Sequence, residues 1–127
     1  VIDNNVKNQC YNKNSNDLIQ EISGDILYLD PPYNERQYLP NYHLLETIAR
    51  YDNPEIKGKT GIRVYNSEKS NYCIKNKVYS EMEELIKNAK FKHIIVSYNQ
   101  DGLLSKNDIE TILKKYGNKE YEKVTCL

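Results

Sequence analysis

The sequence predicts an α/β fold built on parallel strands, and three observations predict it. Two short, near-continuous apolar runs, Ile26-Leu27-Tyr28-Leu29 and His93-Ile94-Ile95-Val96-Ser97-Tyr98, read as strands buried on both faces. Segments with apolar residues at helical spacing flank them. The resulting order is strand, long helical excursion, strand, helix, as in parallel-sheet proteins. Open sheets of this kind gather chemistry at the carboxyl ends of their strands. Two such ends are available, at Asp30 and at Ser97-Tyr98-Asn99.

The elements follow in order. Residues 1–14 are Asn-rich and weakly patterned. Ser15 or Asn16 is placed to cap a short helix through Ile22, with Leu18, Ile19 and Ile22 on one face, and Gly24-Asp25 ends it. The first strand then runs from Ile26 and stops at Asp30, because Pro31 and Pro32 cannot donate to a sheet ladder. Asn41, preceded by Pro40, is read as the cap of a helix carrying Leu44, Leu45, Ile48 and Ala49, which ends before Asn53-Pro54. Residues 54–77 are the least periodic stretch. Ser80 and Glu83 have capping-box spacing and open a helix with Met82, Leu85, Ile86 and Ala89 on one face, reaching about Lys90. The second strand follows, and residues 99–102 turn out of it. Ser105 and Asp108 open the last helix, with Ile109, Ile112, Leu113 and Tyr116 inside and Gly117 as its stop. Tyr121 to Leu127 is a candidate further strand. Two clear strands do not make a self-contained doubly wound sheet, so 1–127 is expected to be one partial domain.

Composition excludes several classes. The chain has 127 residues, 39% hydrophobic and 28% charged, and a mean hydropathy of -0.81. That is polar for a globular domain without marking disorder. Its longest apolar runs are about four residues, too short for a transmembrane helix. The start, Val1 to Val6, shows no signal peptide and no initiator Met, so the chain is expected to begin inside a longer protein. Eighteen basic side chains balance eighteen acidic ones, so only local clusters point to a charged partner. Cys10, Cys73 and Cys126 form neither a disulfide framework nor a CxxC pair and read as reduced thiols in the cytoplasm. The twelve tyrosines fit a compositional bias that also enriches Asn, Lys and Ile; they also suit surfaces that stack on bases.

The chemistry concentrates at Asp30-Pro31-Pro32-Tyr33. The prolines fix φ near -65° and stiffen the loop. The Pro31 carbonyl has no ladder N–H to occupy it, and Asp30 presents a second acceptor beside it. Two neighbouring acceptors match the two N–H bonds of an exocyclic amino group. Tyr33 offers a ring face to the flat base that would carry that group. A bare Asp-Pro-Pro is as often an ordinary strand-ending turn; the aromatic and the apolar strand ahead of it favour the functional reading.

Asp30-Pro31-Pro32-Tyr33, followed by Asn34, resembles the catalytic motif of amino-methylating DNA methyltransferases. The Asp form resembles the adenine-N6 branch, and specifically the D12-class adenine methyltransferases. The wider string Ile26 to Tyr38 is similar to members of that class, as are Asn41 to Ala49 and Ile95 to Asn99. The resemblance spans most of residues 10–117. It implies a partial Rossmann-like methyltransferase fold, with 54–77 as a basic loop insertion and the N-terminal glycine-rich cofactor loop missing, since no Gly precedes Gly24. It implies S-adenosyl-L-methionine as cofactor and double-stranded DNA as partner, with a cognate restriction endonuclease as a further candidate. In the implied reaction an adenine leaves the duplex and stacks on Tyr33. Asp30 and the Pro31 carbonyl accept hydrogen bonds from N6, and Pro32 stiffens the loop. The resemblance also places cofactor contacts at Asn14, Asp17 and Asp30; Asn14 falls where the family usually has Asp.

Weaker signals are weighed beside it. Residues 57–77 hold six basic side chains against one acid, and Lys57, Lys59 and Arg63 are candidates for phosphate contacts; a solvated loop is an equal reading. Gly58-Lys59-Thr60 matches the end of a P-loop, but position 53 is Asn rather than Gly. His43 and His93 lack metal-spaced partners, so no metal is expected. Ser97 lies outside a Gly-x-Ser-x-Gly elbow. Two alternatives stand beside adenine methylation of DNA: an inactive remnant or DNA-binding piece, and an RNA methyltransferase.

Overall fold

A computed structural model describes residues 7–64 and 69–117. The elements run α1 (Ser15–Glu21), β1 (Ser23–Leu29), α2 (Tyr38–Arg50), β2 (Ile56–Lys57), β3 (Ile62–Arg63), a 3-10 turn (Asn71–Cys73), α3 (Val78–Asn88), β4 (Lys90–Val96) and α4 (Lys106–Tyr116). β1 and β4 pair in parallel, with Leu27 opposite Ile94 and Leu29 opposite Val96. The Ser97 N–H donates to the Leu29 carbonyl at 2.8 Å, so the ladder continues to the point where β1 meets Asp30. The α/β fold with parallel strands therefore stands. The expected strand at 121–127 lies outside the described residues.

One face of this sheet makes the core. Leu27, Leu29, Ile94 and Val96 pack against a buried cluster of Ile19, Val78, Met82, Leu85, Ile86, Leu104 and Ile112 drawn from α1, α3, α4 and the loop before α4. Asn16 is buried among them and stays satisfied. Its Nδ2 donates to the Glu81 carbonyl at 3.0 Å, and its Oδ1 accepts the Tyr72 hydroxyl at 2.7 Å. This single amide ties α1 to α3 and to the 3-10 turn.

The expectation that both strands are buried on both faces is corrected. Ile26 and Tyr28 are 62% and 61% exposed, and Ile95 is 50% exposed. Parallel strands read as continuous apolar runs whether or not their second face is covered, and no described element lies over it.

Several boundaries also move. Asn14, rather than Ser15 or Asn16, caps α1: its Oδ1 accepts the Asn16 N–H at 2.8 Å. α2 begins at Tyr38, not after Asn41, and Pro40 sits within its first turn. A proline fits there because the N–H it lacks would have no helical partner. α3 begins at Val78 and lacks the expected Ser80–Glu83 box; the Ser80 hydroxyl donates back to the Lys77 carbonyl at 2.8 Å. The predicted box at α4 is present in both directions between Ser105 and Asp108. Residues 54–77 contain the antiparallel β2–β3 hairpin, turned by Gly58 and Gly61 at φ 74° and 63°. No described helix is long and apolar enough to cross a membrane.

Candidate functional site

The parallel register brings the carboxyl ends of β1 and β4 side by side. Beyond them lies a cleft of about 640 Å³, lined by Tyr33, Asn34, Glu35, Arg36, Asp101, Gly102 and Leu103. One wall is the loop leaving β1 and the other is the loop leaving β4. Tyr33 comes from the predicted motif; Asp30, Pro31 and Pro32 are not part of the lining. Asp30 is exposed just past the end of β1, with no ion pair or hydrogen bond to a described residue. Its carboxylate is thus open to an incoming donor. Tyr33 is 40% exposed, which leaves ring surface for a planar ligand.

Local chemistry holds the Tyr33 loop from both sides. On the β4 side the Leu103 N–H donates to the Tyr33 carbonyl at 2.7 Å. On the other side the Asn34 side chain accepts the Arg36 N–H at 2.9 Å, a short polar turn that sets the loop direction. Next to it, the Gln37 amide makes a two-bond pair with the backbone of Ser70. Its Oε1 accepts the Ser70 N–H at 2.8 Å, and its Nε2 donates to the Ser70 carbonyl at 3.1 Å. The buried Cys73 thiol donates to the Arg36 carbonyl at 3.4 Å. Burial pushes that thiol's pKa up, keeping it a protonated, packed group.

Asn14 and Asp17 do not join this cleft. Asn14 lines a second hollow of about 350 Å³ with Ser15, Lys69, Ser70, Asn71, Tyr72 and Glu81. Its side-chain oxygen already accepts one bond in capping α1, while its NH2 is not used in the cap. Asp17 is exposed in the first turn of α1. The two hollows share no lining residue; the Gln37–Ser70 pair links Ser70 of the second to the residue that follows Arg36 of the first.

The three proposed phosphate contacts separate. Lys57 and Lys59 are exposed on the β2–β3 hairpin, Lys57 within 3.7 Å of Glu55. Arg63 is corrected: it is only 6% exposed and faces inward. Its guanidinium grips Asp52 at 2.6 and 3.3 Å and reaches the Thr47 hydroxyl at 3.3 Å. That guanidinium holds the Asp52 carboxyl below the usual carboxylate range. A charge committed to a bidentate internal pair is not presented to a phosphate.

Sequence reasoning missed Gln37, Leu103 and Gly102. The first two act through amide and backbone hydrogen bonds between residues far apart in the chain, which leave no local pattern. The glycine had a signal, its place in the turn after β4. Among the described residues no three His, Cys, Asp or Glu side chains gather as a metal site.

Comparisons with known proteins add to this geometry. The family model for D12 class N6 adenine-specific DNA methyltransferases matches residues 1–112. The chain is 56% identical over 114 residues to Type II methyltransferase M.FokI of Planomicrobium okeanokoites, covering 90% of this chain and 18% of that protein. It is 45% identical over 116 residues to Modification methylase StsI of Streptococcus sanguinis, covering 91% and 18%. Against Type II methyltransferase M.NlaIII of Neisseria lactamica it is 51% identical over 109 residues, covering 86% and 32%. The chain thus spans from under a fifth to about a third of these relatives. No solved structure matches it.

Proposed function

Because this chain belongs to the D12 class of N6 adenine-specific DNA methyltransferases, we propose that it carries the target-base part of a methyl transfer to the N6 of adenine in double-stranded DNA. The observation that carries this reading is an Asp30 with no partner among the described residues, at the joined strand ends and three positions before a tethered Tyr33 on the wall of an open cleft.

The residues divide the work. An adenine rotated out of the duplex stacks on Tyr33. The Asp30 carboxylate and the Pro31 carbonyl accept hydrogen bonds from N6. Those bonds favour a geometry in which the N6 lone pair is free of the ring's conjugation. Pro31 and Pro32 hold the two acceptors without reorganisation, so much of the acceleration is positioning and electrostatics. Asp30 need not act as a strong base, because N6 sheds a proton readily only once it gains the methyl.

Bound S-adenosyl-L-methionine would supply an electrophilic methyl group. The chain fits that cofactor in part. Asp17 and Asp30 are exposed carboxylates suited to hydroxyl donors and to a cationic sulfur, and Asn14 offers an NH2 not used in the α1 cap. Lys57 and Lys59 are the proposed phosphate contacts. The relatives' names, methyltransferases and modification methylases, support pairing with a restriction endonuclease. Action in the cytoplasm is proposed with it.

The test is transfer of labelled methyl groups by the full-length protein to duplex DNA and to structured RNA. Incorporation into DNA at adenine N6, abolished by Asp30→Ala with the fold retained, is the expected result. Preference for RNA, or full activity of Asp30→Ala, overturns the reading. The engaged side-chain oxygen of Asn14 favours a second reading, a DNA-binding piece without its own cofactor site. Binding of labelled S-adenosyl-L-methionine to the 127-residue chain decides against it.

A further inference from the structure

Tyr98 lies just past β4 and takes no direct part in the proposed chemistry, yet it meets both walls of the cleft. Its hydroxyl accepts the Leu104 N–H at 3.2 Å and lies 3.5 Å from the Tyr33 carbonyl, the outer limit of a hydrogen bond. The same carbonyl takes the Leu103 N–H at 2.7 Å. The turn between is closed by the Gly102 N–H donating to the Asn99 carbonyl at 3.0 Å. Gly102 lies flat against the Tyr98 ring: a Cβ there would stand 2.2 Å from Cε1 and 2.9 Å from Cζ. No other residue type fits without moving the ring or the turn. Tyr98 is partly buried and packs against the core cluster.

We infer that Tyr98, seated against Gly102, is a positioning residue that sets Tyr33 for the target base by bracing the 99–104 turn whose Leu103 N–H holds the Tyr33 carbonyl. This rests on the proposed stacking role of Tyr33. Fixing that carbonyl limits rotation about the Tyr33 backbone, and the ring's placement on the cleft wall follows the backbone. Near-attack geometry tolerates little error, since a misplacement of about 1 Å can cost on the order of a hundredfold in rate. The hydroxyl of Tyr98 therefore affects turnover without touching the base.

The experiment is a double-mutant cycle in the full-length protein, read as single-turnover methyl transfer at saturating DNA and cofactor, with thermal unfolding alongside. Tyr98→Phe keeps the ring in place and is expected to lower turnover about tenfold with little change in unfolding temperature. In a Tyr33→Ala background the same substitution is expected to change turnover less than about twofold, because the part being positioned is gone. Gly102→Ala is expected to lower turnover in the unaltered protein and to cost much less once Tyr98→Ala has removed the ring. Full turnover by Tyr98→Phe, or an equal loss in the Tyr33→Ala background, overturns the inference. Failure of the unaltered protein to methylate DNA in this assay would instead overturn the reading of the site, and the positioning role with it.

Discussion

Arg63 shows how a buried neighbour reassigns a charge. In sequence it is one of six basic side chains between residues 57 and 77; in the fold it belongs to Asp52 and Thr47. Replacing Lys57 and Lys59 together with alanine is expected to flatten the dependence of log K for DNA on log salt by roughly one to two, about 0.9 for each phosphate no longer neutralised. Arg63→Ala should leave that slope unchanged and lower the unfolding temperature. The pH dependence has a definite sign. Asp52 is held below its ordinary range, so the pair's contribution is present above the unfolded carboxylate pKa and is lost as acid carries the pH through the lowered value. Tyr72 behaves oppositely. Burial pushes its pKa up to about 12, so the unfolded chain releases this proton first. The stability it contributes is whole below pH 10 and is lost as pH rises through about 12. A difference titration of phenolate absorbance between the protein and its Tyr72→Phe variant should show one late-titrating group.

Among the elements, α4 announces itself most clearly, because its capping box is a local contract between residues three apart. The Ser105 hydroxyl accepts the Asp108 N–H, and Asp108 accepts the Ser105 N–H at 2.8 Å. Ser105→Ala is expected to cost about 1 kcal/mol in denaturant unfolding. The β2–β3 hairpin lies in the stretch that reads from sequence only as aperiodic, and its turn depends on glycine. Gly58 takes φ 74° with nothing near its absent Cβ, so Gly58→Ala meets no clash. Its expected loss, about 1 kcal/mol, is backbone conformation alone. α2 and α3 start earlier than their sequences suggest, because polar residues near a turn resemble caps in any sequence. Asn41 and Ser80 have the chemistry of caps, but the chain is already helical when it reaches them.

At the scale of the molecule, β1 and β4 are joined in parallel by a long excursion, and the helices they face bury one side of the sheet. Ile112 and Met82 are fully buried at the centre of that side. Ile112→Ala is expected to cost about 2–5 kcal/mol, measured by denaturant unfolding, through reduced burial and the cavity left behind. The opposite side, with Ile26, Tyr28 and Ile95, and the outer surface of α2, with Tyr42, Leu44, Leu45 and Ile48, are exposed. The two faces differ although the strands' apolar runs are continuous. The parallel register also makes the cleft, since it sets the loop from residue 30 beside the loop from residue 97.

The sequence by itself determined what is local: an apolar run cut off by Asp30 and two prolines, helical periodicity in α3 and α4, the Ser105–Asp108 box, and the order that makes the strands parallel. Each depends on residues a few positions apart, so their spacing carries the information. Only the tertiary structure decided which charges remain free and which groups touch across the chain. Arg63 turned inward to Asp52, Gln37 found Ser70, and Leu103 and Tyr98 closed on the carbonyl of Tyr33. Those pairings join residues up to about seventy positions apart, as β1 and β4 are. A hydrogen bond across such a distance depends on packing, and packing leaves no period for a single sequence to show.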